Sequence, residues 1–492
     1  MAKGAGWIAA SRIVITTIGF ANTLILARLL TPEDFGLVAI VMAASAILFA
    51  ATDLSLAQAL VQHPDPDERH YHTAFTLNLL RGVGIAVLVA AISVPASLFY
   101  DDPRLAPLFA TIAVWALLSG AMNPKLAMMS RDLVFWQDFA TRSGDKLASV
   151  LVAVTIAAIW QSYWALIIGL LAGQVFALIL SYAIRPFWPR LSLSRWRDLM
   201  SFSIWVGLGQ LVNTINWRFD QLLAGYVLGT AQLGYYSVGD RLAATPTREA
   251  TQPLAQTVFP GFAKLARDLP RLRSAYLRAQ ALLTAVALPA GAGFAVTAEP
   301  LTLLVLGEDW RPIVPVIQIL AAVFAVQTLA TPAQPLAMAL GATRALFNRS
   351  LVMLAIRVPL TIIGLFGWGL LGLLWARCVS GLIGTLVNMY LVQVLIAMPA
   401  TRQVTGNWRA IIATAAMATA THVVGLGFEG HTATDLLAKT GAMVGTGLLI
   451  YPAAHFSLWW LCGRPHGPER DAITFGGKAL SIIRTRMTTR TA

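Results

Sequence analysis

Residues 237–256 place a polar stripe inside an apolar stretch. Ser237, Arg241, Thr245, Arg248, Gln252 and Gln256 recur at steps of four, four, three, four and four, which puts them on one face of an α-helix. Two guanidinium groups on such a face cannot meet hydrocarbon; they need another helix or a water-filled cavity. Upstream, Gln210, Asn213, Trp217 and Asp220 form a similar face. With Arg218 beside them, and Arg357 and Arg377 in later apolar stretches, the expected lining of a central cavity is Gln210, Asn213, Arg218, Asp220, Arg241, Thr245, Arg248, Gln252, Arg357 and Arg377. The chemistry is that of a cationic, hydrogen-bonding site for an anionic, hydroxyl-rich ligand, because arginine stays charged and forks onto phosphate. The competing reading is ion pairing between helices, Arg218 with Asp220 or Asp240 and Arg248 with Glu249; neighbours on a helix do not face each other, so the last pair is poor.

Nothing in the chain points to bond-making chemistry. It has no GxSxG, no phosphate-binding glycine loop and no paired carboxylates facing one cavity, so no catalytic residue and no cofactor are expected. His63, Asp65, Asp67, Glu68, His70 and His72 crowd one loop, where a solvated loop is favoured over a metal site. Asn22 and Asp53 could coordinate a cation. Cys378 and Cys462 lie in apolar runs without metal-ligand spacing, and no disulfide is expected.

The elements that position these residues follow from composition. Of 492 residues, 57% are hydrophobic and 12% charged, against about 25% charged in soluble domains. That excludes an ordinary globular enzyme, a disordered chain and a nucleic-acid-binding domain, in spite of a net charge of +13. The expectation is an all-α polytopic membrane protein with about fourteen transmembrane helices. The spans are read at 8–28, 36–60, 74–99, 105–124, 145–160, 163–184, 200–228, 231–258, 276–297, 312–340, 350–366, 368–397, 410–428 and 440–462. Met1-Ala-Lys3 runs straight into the first apolar stretch without a small-residue cleavage site, so that stretch is read as a retained span. Leu126, Met129, Leu133, Phe135, Trp136 and Phe139 suggest an interfacial helix over 126–140. Pro246, Pro253 and Pro260 in span eight, and Pro315, Pro332 and Pro335 in span ten, suit bent helices.

Lysine and arginine set the orientation. With the N-terminus inside, the even-numbered connections hold Arg69, Lys125, Arg131, Arg142, Lys146, Arg185, Arg190, Arg195, Arg197, Lys264, Arg267, Arg271, Arg273, Arg278, Arg344, Arg349, Arg402 and Arg409, and the tail adds Arg464, Arg470, Lys478, Arg484, Arg486 and Arg490. The odd connections hold only Arg28, Arg104, Arg311 and Lys439 among acids such as Glu33, Asp34, Asp101, Asp102, Glu308, Asp309 and Glu429. The positive-inside rule then puts both termini in the cytoplasm, with added attraction to anionic lipid heads. Arg12 and Arg81 lie close enough to cytoplasmic span ends to snorkel.

Two internal matches share nearly one offset. Leu30, Phe35 and Gly36 fall on Leu228, Leu233 and Gly234 about 198 residues later, and Trp164-Ala165-Leu166 resembles Trp368-Gly369-Leu370 about 204 later. Six spans separate the copies, so they share one orientation. That implies two parallel six-helix lobes, 1–198 and 199–400, related by an axis along the membrane normal with the site between them. Residues 401–463 add two helices, and 464–492 form a basic cytoplasmic tail.

Ala27-Arg28-Leu29-Leu30-Thr31-Pro32-Glu33-Asp34-Phe35-Gly36-Leu37, followed by Leu54-Ser55-Leu56-Ala57-Gln58-Ala59-Leu60-Val61-Gln62, resembles the opening of Wzx-type polysaccharide exporters, in particular the colanic-acid and teichuronic-acid branch. Asp220-Gln221-Leu222-Leu223-Ala224-Gly225, Leu228–Ser237 and Gly307-Glu308-Asp309-Trp310 resemble its later motifs, and the likeness fades after about residue 400. The resemblance, to the polysaccharide-transporter group of the multidrug/oligosaccharidyl-lipid/polysaccharide (MOP) superfamily, implies a fourteen-helix flippase of a bacterial inner membrane. Such proteins move undecaprenyl-diphosphate-linked oligosaccharide between leaflets by alternating access. They work in exopolysaccharide, capsule or lipopolysaccharide assembly, with a polysaccharide polymerase and a chain-length regulator as further partners. A multidrug/cation antiporter of the same superfamily is the nearest alternative, and a membrane polymerase or ligase a more distant one. The deep charges lean basic, and no long outer loop exists to carry an acceptor site.

Overall fold

The computed structural model describes residues 2–464, apart from 54, 64, 132–134, 201–202, 429 and 431, together with Glu469. Leu54, Leu133, Glu429 and the tail cations Arg470, Lys478, Arg484, Arg486 and Arg490 lie outside the described residues, as do the side chains of Arg12 and Gln256.

The described chain is helical, without a strand. Helices α1 (Ala2–Leu29), α2 (Pro32–Ala51), α3 (Leu56–Gln62), α4 (Glu68–Phe99), α5 (Leu105–Gly120), α6 (Met128–Arg131), α7 (Phe135–Trp160), α8 (Trp164–Ile184) and α9 (Trp196–Met200) lead to α10 (Ser203–Leu265). Then follow α11 (Leu269–Val296), α12 (Ala298–Val305), α13 (Val314–Gln327), α14 (Ala333–Ala339), α15 (Thr343–Ile396), α16 (Ala400–Thr405), α17 (Trp408–Leu426) and α18 (Ala433–Leu461). Among the described residues, nine helical stretches are long and apolar enough to cross a membrane. The chain is a polytopic helical membrane protein.

Two of the helices are composite. An unbroken α10 would be roughly 95 Å long, about three times a hydrocarbon core. It is interrupted at Gly229, whose φ of 80° and ψ of 174° suit glycine. Helix α15 is interrupted at Trp368 and Gly369, where Gly369 has φ 59°. These breaks fall where the hydrophobic pattern separates spans seven from eight and eleven from twelve. Pro246, Pro253 and Pro260 leave helical backbone on either side, so Gly229 is the one break within α10. Span ten is discontinuous, with 3₁₀ turns at Glu308–Ile313 and Thr328–Ala330 flanking α13.

The chain divides into two compact units, Met1–Val238 with Leu354–Leu373 and Gly239–Met353 with Leu374–Ala492. In the first, α1 packs on α7, α7 on α8, α8 on α5, and α5 on both α2 and α4. In the second, α11 packs on α13 and α17, and α18 on α17 and α12. Trp310, Leu320 and Ala321 are buried in its interior.

The repeated turns meet face to face in the first unit. Thr31 caps α2 reciprocally with Asp34: the Asp34 N–H donates to Thr31 Oγ1 at 3.3 Å and the Thr31 N–H to Asp34 Oδ2 at 2.9 Å. A Cβ on Gly36 would lie 1.7 Å from the Thr230 carbonyl oxygen, and one on Gly234 would lie 1.7 Å from the Pro32 carbonyl oxygen. Gly36 and Gly234 are 198 positions apart, and so are Pro32 and Thr230. The contact is therefore reciprocal, as a two-fold relation between the turns requires. Nearby, Arg104 donates to Glu33 and pairs with Asp102 at 2.8 Å. In the second unit Arg311 lies 3.8 Å from Glu308. Arg104 and Arg311, two of the four cations read in the odd-numbered connections, are thus each matched to a carboxylate.

Of the interfacial helix expected over 126–140, residues 132–134 lie outside the described residues, and the rest is divided between a turn, α6 (Met128–Arg131) and the start of α7. Asn123 donates its amide to the carbonyls of Ser181 and Arg185 at 3.1 and 2.7 Å. That fixes a 3₁₀ turn at Pro124–Ala127, Met128 and Met129 turn inward, and Phe135–Phe139 become the first turns of α7.

Because a methyl at either turn glycine must push against backbone, Gly36→Ala and Gly234→Ala should each destabilise the protein by about 3 kcal/mol or more. Gly445→Ala, with open space around its Cβ position, should be neutral or slightly stabilising. Unfolding midpoints of the three variants in detergent check this.

Candidate functional site

A cavity of about 430 Å³ lies within the first unit. The end of α2 supplies Ala46, Phe49 and Ala50, followed by Asp53; α4 supplies Arg81; α10 supplies Gln210, Asn213, Thr214, Trp217 and Arg218. Of the eight α10 residues expected from sequence to line a cavity, Gln210, Asn213 and Arg218 are brought together here, and Asp220, Arg241, Thr245, Arg248 and Gln252 are not among its lining.

Arg81 was expected to snorkel and does not. Its Nη2 donates to the Phe49 carbonyl at 2.8 Å and its Nε to Thr52 Oγ1 at 3.3 Å. Its Nη1 lies 4.0 Å from Asp53 Oδ1, and the side chain is 22% exposed. The guanidinium caps the negative C-terminal end of α2 and faces the cavity at the same time. Asp53 accepts the Ser55 N–H at 2.9 Å in the turn after α2. It adjoins Arg81, and the described residues contain no cluster of three or more His, Cys, Asp or Glu placed to hold a metal. Arg218 donates to Gln221 Oε1 at 3.1 Å, and Trp217 is half-exposed.

Behind this wall lies a buried ion pair. Asp220 is 1% exposed. Its Oδ2 accepts the Tyr236 hydroxyl at 2.6 Å and Arg357 Nη2 at 2.8 Å, while Oδ1 accepts the Gln221 N–H at 2.9 Å. The Arg357 guanidinium stacks over Trp217, 5.0 Å from the ring centroid. Arg357 comes from the part of α15 that belongs to the first unit. Asp220 and Arg357 therefore brace the cavity wall and do not open into it.

In the second unit, Arg377 Nη2 donates to Asp240 Oδ1 at 2.8 Å, and its guanidinium lies 5.9 Å from the Phe324 ring centroid. Arg377 is likewise buried and paired. The stripe keeps its helical register: Arg241 and Arg248 are exposed, Thr245 and Gln252 partly so, while Leu242, Ala243, Thr247 and Thr251 are buried on the other side of the helix. The Thr245 hydroxyl donates to the Arg241 carbonyl at 2.8 Å, the usual back-bond of a helical threonine.

The histidine-rich loop is structural. His70 is buried, its Nδ1 is 2.6 Å from Asp67 Oδ1, and the pair forms a reciprocal cap on α4.

Comparison with solved structures identifies the fold. The chain superposes on the lipid II flippase MurJ in its inward closed conformation with a TM-score of 0.74 at 12% identity, over 93% of this chain and 99% of that one. An inward-facing MATE multidrug resistance transporter of the MOP superfamily gives 0.60 at 13% identity, over 78% of this chain and 96% of that one. The fold is that of MOP-superfamily transporters. Residues 25–315 match the family of polysaccharide biosynthesis proteins, and the chain belongs to that family. Among its relatives, the lipopolysaccharide biosynthesis protein WzxC of Escherichia coli K12 is 24% identical over 397 residues, covering 80% of this chain and 78% of WzxC. The teichuronic acid biosynthesis protein TuaB of Bacillus subtilis 168 is 25% identical over 458 residues, covering 91% and 94%. The succinoglycan biosynthesis transport protein ExoT of Rhizobium meliloti is 25% identical over 321 residues, 65% of each chain.

Removing one partner of a buried pair strands a charge, at about 3–5 kcal/mol, whereas replacing both with apolar residues costs far less. Asp220→Leu and Arg357→Met should each lower stability in that range, and the double variant should be closer to wild type than either. A double-mutant cycle of unfolding midpoints in detergent reads the coupling.

Proposed function

We propose that this protein is a flippase that carries undecaprenyl-diphosphate-linked oligosaccharide repeat units from the cytoplasmic to the periplasmic leaflet of a bacterial inner membrane. The product supplied is an exopolysaccharide, capsule or lipopolysaccharide. The observation that carries this reading is the cavity holding Arg81 and Arg218 with the amides of Gln210 and Asn213 and the indole of Trp217. Such a cargo has a charged diphosphate and many hydroxyls that would lose hydration in hydrocarbon. Guanidinium groups replace phosphate hydration with charge-assisted hydrogen bonds. Amides satisfy sugar hydroxyls, and an indole face offers an apolar surface to a sugar ring. The isoprenoid tail needs no site in water and stays in lipid.

Further features belong to the same proposal. The chain has fourteen spans with both termini cytoplasmic. Two six-helix repeats, 1–198 and 199–400, are followed by two additional helices. The exposed stripe of Arg241, Thr245, Arg248 and Gln252 supplies a second set of polar contacts along the substrate path. No bond is made or broken, so direction comes from different affinities of inward- and outward-open states or from an ion gradient. A polymerase and a chain-length regulator take the product onward. A cation antiporter fits the cavity less well: its one lining acid, Asp53, lies 4.0 Å from Arg81, and two arginines leave an excess of positive charge.

Loss of a charge-assisted contact to phosphate costs roughly 1.5–3 kcal/mol, on the order of ten- to a hundredfold. Arg81→Ala and Arg218→Ala should therefore reduce polysaccharide export strongly in cells that depend on this protein. Arg218→Lys should be impaired less than Arg218→Ala, because it keeps the charge and loses only the fork. Arg241→Ala and Arg248→Ala should reduce export in the same direction. Wild-type export by the Arg81→Ala, Arg218→Ala double variant at matched surface expression would refute the reading.

A further inference from the structure

Residues 185–200 connect α8 to α10 and belong to the first unit. This strap is fastened at both ends. Phe187 is buried, its ring stacks on His72 with centroids 5.2 Å apart, and Lys125 Nζ lies 5.1 Å from the ring centroid. Leu199 is fully buried in a cluster with Leu56, Leu60 and Ala74. Between these anchors the backbone is pinned to the start of α4. The Arg190 N–H donates to His72 Nδ1 at 3.2 Å, the Ser192 N–H to Thr76 Oγ1 at 2.9 Å, and the Arg195 N–H to Thr73 Oγ1 at 3.3 Å. Pro186 and Pro189 fix φ and lack N–H donors, which keeps the segment extended.

Pinning one edge turns the other outward. Trp188 is 87% exposed, Leu191 74%, Leu193 48% and Trp196 46%. Arginines alternate with them. Arg195 pairs with Asp198 at 3.6 Å and approaches Asp67 at 4.0 Å, whereas Arg190 and Arg197 form no ion pair among the described residues. The Arg197 guanidinium lies 5.5 Å over the Trp196 ring. Tryptophan with arginine is the composition of a membrane–water interface. The strap leaves the end of the apolar α8 and leads into α10, so it emerges at a membrane face.

We propose that this strap is a membrane-surface anchor for anionic phospholipid headgroups. Trp188, Leu191, Leu193 and Trp196 enter the headgroup–acyl boundary, and Arg190 and Arg197 take lipid phosphates. The unmatched positive charge favours this occupant over a soluble protein. Each arginine near an anionic surface adds about fivefold in affinity for it. Because α4 holds the strap's backbone, lipid binding bears directly on the helix that supplies Arg81.

The test uses the full-length protein carrying Cys378→Ser and Cys462→Ser, with a spin label at Trp188→Cys or, separately, Leu191→Cys. Each is reconstituted in phosphatidylcholine vesicles with and without about 30 mol% phosphatidylglycerol. Collision with oxygen and with a water-soluble nickel complex reports depth. Both labels should lie at the headgroup–acyl boundary and move deeper with phosphatidylglycerol. Arg190→Gln with Arg197→Gln should abolish that dependence. Labels fully open to nickel in both vesicle types would overturn the proposal, as would nickel protection that arises only when soluble cell extract is added.

Discussion

A guanidinium inside a bilayer must be matched to an acid, a carbonyl or trapped water. That constraint sorts the arginines of this protein. Arg357 is matched to Asp220 and Arg377 to Asp240, both buried. Arg81 is matched to the Phe49 carbonyl and only loosely to Asp53. Arg218 is met by the neutral amide of Gln221. The first two have spent their charge on structure. The last two retain theirs, and they share one cavity with polar neighbours. The proposed function is placed where the matching is incomplete.

The same pair couples the cavity to the repeated turn. Asp220 precedes the break at Gly229 and Tyr236 follows it, and their 2.6 Å hydrogen bond ties the two halves of α10 together. The turn between them is locked against its counterpart by Gly36 and Gly234, where no side chain fits. A close approach of backbones, permitted by small residues, is how helices associate where lipid removes the hydrophobic drive. Trp217, stacked under Arg357, passes this rigidity to the cavity wall.

Much of the fold was legible in the residues because membrane spans obey simple rules. The Gly229 and Trp368-Gly369 breaks follow from hydrophobic run length, and the matching turns at 30–36 and 228–234 pack on each other through their glycines. Gln210, Asn213 and Trp217 were readable as one face from helical period alone, whereas Asp220, read onto the same face, is buried behind the cavity wall. The partners were not. Asp220 and Arg357 are 137 positions apart, and a single sequence carries no signal for such a pair. Arg81 looked like a snorkelling residue because its distance from a span end is visible and the end of α2 beside it is not. Residues 126–140 have an interfacial composition, but the bonds from Asn123 to the Ser181 and Arg185 carbonyls that fix the turn before them join positions about 60 apart and leave no local signal. Asp65, Asp67 and Glu68 of the histidine loop are exposed, as the solvated reading has it, whereas the stacking of His72 on Phe187 joins positions too far apart in the chain to be read from the loop.

The central claim is that a cationic cavity carries a lipid-linked diphosphate sugar across the bilayer. Transbilayer movement can be measured in vesicles containing the purified protein and an undecaprenyl-diphosphate-linked oligosaccharide in both leaflets, using an impermeant sugar-modifying enzyme that first consumes the outer pool. The account predicts that the inner pool becomes accessible much faster than in empty vesicles, and that Arg218→Ala protein slows it markedly. Inner-pool accessibility no faster than in protein-free vesicles, under any imposed ion gradient, would contradict it.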